Sequence, residues 1–254
     1  SARPSLRCAN GTIVACGSPA CRSLSLDGGF VTLVALAMEP LLASVEPFKH
    51  LPPAEQRRLS QAAREKRYAK GETVFREGGA CDAVWVVKTG RVHLLKFLAE
   101  GKASTTCVMT PGEAFCCLPA LDRGPYPADA VAAEDSVVIR IPTEAFHQAM
   151  ERSPKFSHET LCLFCSRLRQ VEHKSCMVYE SAEQRLAQVL LTLAKKFGRT
   201  IPLTRQELAE IAGTTHETAI RTLSRFGKQG LIRSSRGQTT ILKPAGLADL
   251  RNNS

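Results

Sequence analysis

The sequence predicts an α+β chain in three consecutive parts: an N-terminal antiparallel β-roll, a long helix, and a C-terminal helical unit closed by a β-hairpin. With 254 residues, 44% of them hydrophobic, the chain is long enough for one large domain or two small domains with real cores. Residues 66–142 break into short apolar runs between glycine-containing turns, which is typical of antiparallel sheets. From residue 143 onward the apolar residues follow helical spacing instead.

The N-terminal segment is expected to lie outside the folded core. Residues 1–37 are rich in Ser, Gly, Ala and Cys without a strong period, and the first methionine is Met38, so we expect a poorly ordered leader. The roll domain is then assigned to residues 38–156. The apolar run 30–38 is too short to cross a bilayer and lacks a convincing charged start and cleavage site, so no membrane segment is predicted. Residues 54–65 are predicted to form a helix.

The strands of the predicted roll are short and closely spaced. Turn signals such as Lys70-Gly71, Thr89-Gly90 and Pro111-Gly112 separate them, which favours an antiparallel barrel or roll over a parallel sheet. The apolar runs are residues 73–75, 83–87, 92–97, 105–109, 130–132 and 136–141.

Residues 157–180 are predicted to form one long helix that pairs with the same helix of a second chain. Its apolar residues recur at alternating spacings of three and four, as in the a/d seam of a two-stranded coiled coil. Packing of this helix on its own roll is the alternative, although its other faces carry charged side chains that need solvent. The seam consists of Leu161, Phe164, Leu168, Val171, Ser175 and Val178.

A second face of the same helix carries histidine and cysteine. His158, Cys162 and Cys165 follow at spacings of four and three, so their side chains share one face, and this face could look back at the roll. The chain holds ten cysteines, but its core is ample and no secretory signal is evident. A reducing cytoplasmic location is therefore expected.

The positive charge of the chain is concentrated at its C-terminal end. Lys and Arg number 34 against 24 Asp and Glu, and residues 180–254 alone hold 12 against 6. A basic excess of this kind favours polyanions as partners.

Residues 181–254 are predicted to form a winged helix-turn-helix. A helix over 187–197 precedes a second one, which begins at a Thr204 cap and stops at Gly213. Thr214 to Glu217 matches a capping box that opens a third helix ending near Gly230. Residues 231–242 hold two β runs around a glycine turn and predict the wing.

The third helix has the side chains that read base edges in a major groove. Arg pairs bidentately with guanine and Glu accepts from cytosine N4, so DNA is the expected partner. A winged-helix scaffold that binds protein, joined to a structural β-roll, is the alternative. The predicted outward residues are His216, Glu217, Ile220 and Arg221, and the predicted inward residues are Ala219, Leu223 and Phe226.

Over about residues 45–245 this arrangement resembles the Crp/Fnr family of bacterial transcription factors, the catabolite activators and fumarate-nitrate regulators. The resemblance implies a homodimer that reads a palindromic operator in double-stranded DNA, with RNA polymerase as an expected partner. The matching motifs are Lys70-Gly-Glu-Thr-Val-Phe-Arg-Glu-Gly, Val84-Trp-Val-Val-Lys-Thr-Gly-Arg-Val, Pro111-Gly-Glu-Ala-Phe, Ser136-Val-Val-Ile-Arg-Ile-Pro, Thr204-Arg-Gln-Glu-Leu-Ala and Glu217-Thr-Ala-Ile-Arg.

The resemblance also assigns roles within the DNA-binding unit. It places Glu217 and Arg221 at base-contact positions, while His216 stands where many members carry an arginine, so the operator could differ from the familiar one. Phosphate contacts fall on the second helix, and the candidate DNA-binding set is completed by Thr204, Arg205, Gln206 and Thr215.

The cassette that binds cyclic nucleotides in other members departs from their pattern here. Cys117 replaces the ribose-binding carboxylate, and Tyr126 or, in a second register, Pro127 replaces the phosphate-binding arginine, with Asp129 close by. A phosphodiester needs a cation and donors, so these replacements argue against cyclic AMP as the ligand.

The sequence does not decide which chemical class of effector the roll senses. Cys116 and Cys117 occupy the region where the family binds its effector, and with His158, Cys162 and Cys165 they could sense redox state or bind a thiophilic metal, or they could only pack. As neighbours on a strand, Cys116 and Cys117 would point to opposite faces unless the chain turns there.

Two other cofactors and an enzymatic role are weighed against the sequence. Cys8, Cys16 and Cys21 are more widely spaced than the cysteines that bind an iron–sulfur cluster in other members of the family, and the fourth cysteine ligand is missing from the roll, so this cluster is not expected. Heme stays open, with His93 and His158 as candidate ligands. Neither a nucleophile–base pair nor a phosphate-binding glycine loop is visible, so an enzyme is not predicted.

Overall fold

The structure is a computed structural model that describes residues 8–9, 12–13, 39–97, 103–176 and 181–252. It confirms the predicted α+β chain, with a β-roll first, then a long helix, then a winged helix-turn-helix. Most of the leader assigned to residues 1–37 lies outside the described residues, as do residues 177–180 at the end of the predicted long helix.

The roll consists of antiparallel strands that match all six predicted runs. Two further strands escaped prediction because one is only two residues long and the other, Arg64–Tyr68, is mostly charged. Charged side chains suit that strand because it pairs with only one neighbour, at a sheet edge. Strands β1 (Cys8–Ala9) and β2 (Thr12–Ile13) form a separate two-stranded sheet. The strands of the roll are β3 (Arg64–Tyr68), β4 (Thr73–Phe75), β5 (Ala83–Thr89), β6 (Val92–Phe97), β7 (Ala103–Met109), β8 (Ala114–Phe115), β9 (Asp129–Ala132) and β10 (Ser136–Pro142).

Two four-stranded sheets form the roll, in the orders β3-β10-β5-β8 and β4-β9-β6-β7. Strand β5 lies in the middle of the first sheet, and its first five residues are buried, which explains its continuous apolar sequence. Strand β9 instead alternates half-buried and buried residues, the pattern of a strand with one face on the core.

Helices close the roll on one side. An aromatic cluster holds them together: the ring of Phe48 stacks on that of Phe156 at 5.8 Å, and Phe146 meets both rings edge-on. Each ring is fully buried, so truncating any one of them to alanine would cost about 3–5 kcal/mol of folding free energy. The elements are a 3-10 helix (Phe48–His50), α1 (Pro53–Ala62), α2 (Cys117–Asp122), α3 (Thr143–Arg152) and α4 (Pro154–Cys176).

The helix predicted over 54–65 is shorter than expected. Helix α1 ends at Ala62, because Ala63 adopts an extended conformation and Glu65 pairs with Ile139 in the sheet. Helix α4 begins at Pro154, slightly before the predicted start of the long helix.

The C-terminal unit contains the predicted helix-turn-helix and wing, with one extra strand and one extra helix. Ser181 caps the first helix through a capping box with Gln184, so this helix starts five residues before the predicted apolar stretch. The elements of the C-terminal unit are α5 (Ala182–Phe197), β11 (Thr200–Ile201), α6 (Arg205–Ile211), α7 (His216–Lys228), β12 (Ile232–Ser235), β13 (Gln238–Ile241) and α8 (Pro244–Asn252). The three strands form one sheet in the order β11-β13-β12.

In the part of the chain that the structure describes, no helix is both long and apolar enough to cross a membrane.

Candidate nucleic-acid interface and effector pocket

The third helix of the C-terminal unit, α7, begins one residue later than the predicted capping box implies. Thr215, not Thr214, is the N-cap residue, and its hydroxyl oxygen accepts a hydrogen bond from the backbone N–H of Thr218 at 3.2 Å. The box predicted with Glu217 is therefore wrong. Since Glu217 is not engaged in capping, its carboxylate stays exposed on the first turn of the helix.

The two faces of α7 divide as predicted. His216, Glu217 and Arg221 are exposed, and Ile220 is half-buried. Glu217 and Arg221 are four residues apart, so they share one side of the helix. The opposite side anchors the helix in the core of the unit through Ala219, Leu223 and Phe226, all of which are buried.

A polar crevice lies between helix α6, the start of α7 and the wing. Its volume is about 510 Å³. Thr204 caps α6 through a capping box with Glu207, and Arg205 and Gln206 follow with exposed side chains. The structure thus brings these residues together with His216, which the sequence placed on a different helix.

The wing adds one arginine to this crevice, Arg236, which the sequence analysis did not single out. Arg236 stands at the turn between β12 and β13 and lines the crevice, and Arg233 is exposed on β12. The sequence did contain a signal for a basic wing, because Arg233 and Arg236 flank Ser234 and Ser235 in a hairpin with a glycine turn. The crevice therefore presents arginine from α6 and from the wing to a polyanion.

The interior of the roll is occupied by an aromatic side chain, Tyr126, at one of the two positions where the resemblance expects a phosphate-binding arginine. The ring of Tyr126 is only 4% exposed and stacks on Phe75 with 3.8 Å between ring centroids. Its hydroxyl accepts a hydrogen bond from the indole N–H of Trp85 at 3.1 Å and donates one to Asp82 at 2.9 Å. Burial raises the pKa of Tyr126 far above its usual range, so the hydroxyl stays protonated.

Cys116 and Cys117 do not lie on a strand, so the exception that the sequence analysis allowed, a turn of the chain at these residues, applies. Cys116 has a left-handed backbone, with φ of 61°, and Cys117 begins helix α2, so the chain turns between them. Both are buried, and the thiol of Cys81 lies 3.9 Å from the carbonyl oxygen of Cys116. Burial also raises the pKa of the Cys81 thiol, which keeps it protonated.

The second face of α4 does not look back at the roll. His158, Cys162 and Cys165 are exposed, because the larger apolar side chains of Phe156 and Phe164 point toward the core and set the rotation of the helix. The thiol of Cys162 lies 3.8 Å from a ring nitrogen of His158.

Metal ions in proteins are commonly held by His, Cys, Asp and Glu side chains. The described residues contain no group of three or more of these side chains close enough to hold a metal ion. Cys81, Cys107, Cys116, Cys117, Cys162 and Cys165 form no disulfide. His93, the other candidate heme ligand, is buried on β6 against the C-terminal unit, whereas His158 is exposed on α4.

The apolar seam of α4 is open to solvent in the single chain. Leu161 is 53% exposed and Leu168 is 60% exposed, so each presents apolar surface outward. Phe164 is half-buried and packs against the core of the roll. The side chain of Val171 and all of Val178 lie outside the described residues.

Family models match both halves of the chain. A model described as "Cyclic nucleotide-binding domain" matches residues 65–153, and one described as "Crp-like helix-turn-helix domain" matches residues 184–250.

Two regulators match most of the chain. The cyclic AMP receptor protein of Thermus thermophilus is 29% identical over 205 residues, which cover 80% of this chain and 95% of the relative. The transcriptional activator protein FnrA of Stutzerimonas stutzeri is 26% identical over 190 residues, covering 71% and 78%. The solved structure of FixK2 from Bradyrhizobium japonicum superposes with a TM-score of 0.69 at 24% identity, covering 76% of this chain and 98% of that one, which supports the fold.

Proposed function

The chain belongs to the Crp/Fnr family of DNA-binding transcriptional regulators, and we propose that it reads a palindromic operator as a homodimer under an effector other than cyclic AMP. Its relatives are regulators and not enzymes, and the chain is a regulator as well. RNA polymerase on promoter DNA is the further partner we propose, and the cytoplasm is the location.

The observation that carries the DNA-reading role is the exposed start of α7. Glu217 and Arg221 face outward on adjacent turns, while residues that line the neighbouring crevice supply positive charge toward the phosphates. Among the described residues, the Arg221 side chain makes a 3.4 Å hydrogen bond to the hydroxyl of Thr218 on its own helix and is exposed, so its guanidinium is available to a guanine.

Selection from a random duplex pool tests this role directly. The full-length protein should enrich a sequence with two inverted half-sites, and fluorescence anisotropy should show tighter binding to that duplex than to a scrambled one. Equal binding to both duplexes would contradict sequence-specific reading.

Tyr126 supports an effector other than cyclic AMP, even though one relative is named a cyclic AMP receptor protein and another a cAMP-activated global transcriptional regulator. A cyclic phosphate placed at this position would meet a neutral, buried ring hydrogen-bonded to the Asp82 carboxylate instead of a cation. Titration calorimetry with cyclic AMP is expected to show no binding heat, and a micromolar dissociation constant would contradict this part of the proposal.

The effector classes to separate are thiol redox, a thiophilic metal and heme. Metal analysis and the absorption spectrum of protein purified without oxygen distinguish them, because heme and iron–sulfur clusters absorb visible light whereas thiol and zinc sites do not. Among the sensor candidates, Cys116 and Cys117 lie in the roll, and His158, Cys162 and Cys165 lie on the exposed face of α4.

The exposed leucines of α4 support the homodimer. Leu161 and Leu168 are seven residues apart, so they repeat along one side of the helix and would be covered by the same side of a second copy. Two half-sites one helical turn of DNA apart, about 34 Å, would then face the two copies of helix α7. Sedimentation equilibrium should give twice the chain mass, and a monomer at micromolar concentration would contradict it.

A further inference from the structure

Two carboxylates of helix α6 connect the roll to the DNA-facing end of the C-terminal unit. Glu207 and Glu210 lie one turn apart on the side of α6 that faces β7 and the Arg91 and His93 side chains of the roll. In each of them one carboxylate oxygen faces the roll and the other faces a residue that we propose contacts DNA phosphate.

Glu207 makes the first connection. Its Oε1 atom accepts a hydrogen bond from Nη2 of Arg91 at 3.4 Å. Its Oε2 atom accepts two hydrogen bonds from Thr204, from the backbone N–H at 2.7 Å and from the hydroxyl at 2.8 Å. Arg91 belongs to the roll and Thr204 is the cap of α6, so a single side chain joins the two.

Glu210 repeats the arrangement one turn later. Its Oε2 atom accepts a hydrogen bond from the hydroxyl of Thr105 on β7 at 3.2 Å. Its Oε1 atom accepts one from the side-chain amide of Gln206 at 2.9 Å. The exposed amide of Gln206 is thereby oriented by a residue of the roll, through one intermediate carboxylate.

The roll ends of both connections are buried. Arg91 is 8% exposed, and its backbone N–H donates to the hydroxyl of Ser136 at 3.0 Å within the roll, while its Nη1 donates to the carbonyl of Pro202 in the C-terminal unit at 2.6 Å. Thr105 is buried within β7. A displacement of β6 or β7 would therefore move the guanidinium or hydroxyl to which each carboxylate is bound.

We infer that Glu207 and Glu210 are positioning residues that couple the roll to DNA affinity by orienting Thr204 and Gln206. The inference rests on the proposed phosphate contacts of those two residues. Each carboxylate is hydrogen-bonded to the roll through one oxygen and to Thr204 or Gln206 through the other. A shift of the roll strands relative to α6 therefore breaks one of these bonds or moves the phosphate-contact residue.

The Glu210 connection allows a clean test with near-isosteric variants. Thr105→Val removes the hydroxyl, and Thr105→Ser retains it. Thr106→Val is the matched control, because the Thr106 hydroxyl donates to the carbonyl of Leu94 within the roll. With the selected duplex and fluorescence anisotropy, Thr105→Val should weaken binding about three- to tenfold, while Thr105→Ser and Thr106→Val should bind like the unmodified protein.

A double-mutant cycle separates positioning from mere stability. In a Gln206→Ala background, Thr105→Val should have no further effect on the dissociation constant, because its target is gone. Lys196→Met is the control for general docking: Lys196 joins the units through the carbonyl of Val108 and the Glu113 carboxylate, and no described bond links it to α6. Its effect should stay the same in the Gln206→Ala background.

The outcomes are distinct. If Thr105→Val weakens binding by the same factor with and without Gln206, or does not weaken it at all, the inference is overturned while the proposed function stands. If the unmodified protein enriches no duplex in the selection, the proposed function fails and takes this inference with it. Thermal unfolding of each variant, followed by circular dichroism, checks that all of them are folded at the assay temperature.

Discussion

The hydroxyl of Tyr126, a buried residue of the roll, donates a hydrogen bond to the carboxylate of the exposed Asp82 at 2.9 Å. The same oxygen accepts from the indole of Trp85, so both hydrogen-bonding directions are used. Burial by itself would raise the pKa of Asp82, but hydrogen bonds from Arg140 and Tyr126 outweigh it and hold the pKa below its usual value. A charged carboxylate thus anchors a neutral ring.

Tyr126→Phe is expected to destabilise the protein by about 1–3 kcal/mol, because the Trp85 indole and the Asp82 carboxylate each lose a buried partner. Urea unfolding followed by tryptophan fluorescence measures the change, since Trp85 is the single tryptophan. Tyr68→Phe, at a half-buried position of β3, is the control and should change stability by less than about 0.5 kcal/mol. Equal losses of stability in Tyr126→Phe and Tyr68→Phe would contradict a stabilising role for the hydrogen bonds of the Tyr126 hydroxyl.

His93 is expected to make stability fall as the pH is lowered. Burial against the C-terminal unit lowers its pKa, attraction by Glu207 opposes this, and Arg91 reinforces it, with Glu210 and Glu134 adding further opposition. The unfolded chain, whose histidine has a pKa of about 6.5, therefore binds a proton more readily than the folded chain. The contribution of neutral His93 is present above about pH 6.5 and is lost as the pH falls toward the folded pKa.

Urea unfolding of the unmodified protein and of His93→Gln between pH 8 and 5.5 measures this contribution. The stability advantage of the unmodified protein should shrink below about pH 6.5, by at most about 1.4 kcal/mol per pH unit. His158→Gln, at an exposed position of α4, controls for the loss of an imidazole. A difference in unfolding free energy between His93→Gln and the unmodified protein that stays constant across this pH range would contradict a lowered pKa of His93.

Arg221→Ala should cost about 1–3 kcal/mol of binding free energy at the selected operator and relax the preference at one guanine per half-site, because it removes a bidentate base contact. Arg205→Ala, in the crevice, should weaken binding to all sequences alike and lower the salt slope by roughly one unit. Anisotropy titrations at several salt concentrations, on the operator and on a scrambled duplex, give both quantities. If Arg221→Ala affects the two duplexes equally, Arg221 contacts only phosphate.

Leu168→Glu should convert a dimer into monomers, because a carboxylate would be buried against its symmetry mate in the seam. Sedimentation velocity measures the change. Leu242→Glu is the control, since Leu242 is an exposed leucine of the C-terminal unit and does not belong to α4. An unchanged dimer in Leu168→Glu would place the dimer contact elsewhere.

Gly90→Ala should destabilise the roll by more than Gly71→Ala. Both glycines have φ above +80°, where a side chain is strained. A Cβ atom at Gly90 would lie 2.3 Å from the hydroxyl oxygen of Ser136, whereas one at Gly71 would meet nothing within 4 Å. We expect about 1 kcal/mol from the backbone alone at Gly71 and at least about 1 kcal/mol more at Gly90. Thermal unfolding compares them, and equal losses would contradict the predicted clash.

Local sequence patterns were sufficient for the elements of the DNA-binding unit, since its signals lie within a few residues of one another. The Thr204 cap, the buried side of α7 and the hairpin wing all follow from spacing and turn residues. The start of α7 was placed one residue early, because two adjacent threonines offer competing caps and only the backbone geometry selects Thr215.

The sequence by itself determined the α+β order of roll, long helix and winged helix, because periodicity and turn chemistry are local properties of the chain. Only the tertiary structure decided which faces meet. The rotation of α4 turned His158 outward, since Phe156 competes for the core and buries more apolar surface. It also decided that Arg91 and Glu207, 116 residues apart, are partners, because long-range packing, which no local pattern encodes, brings β6 against α6.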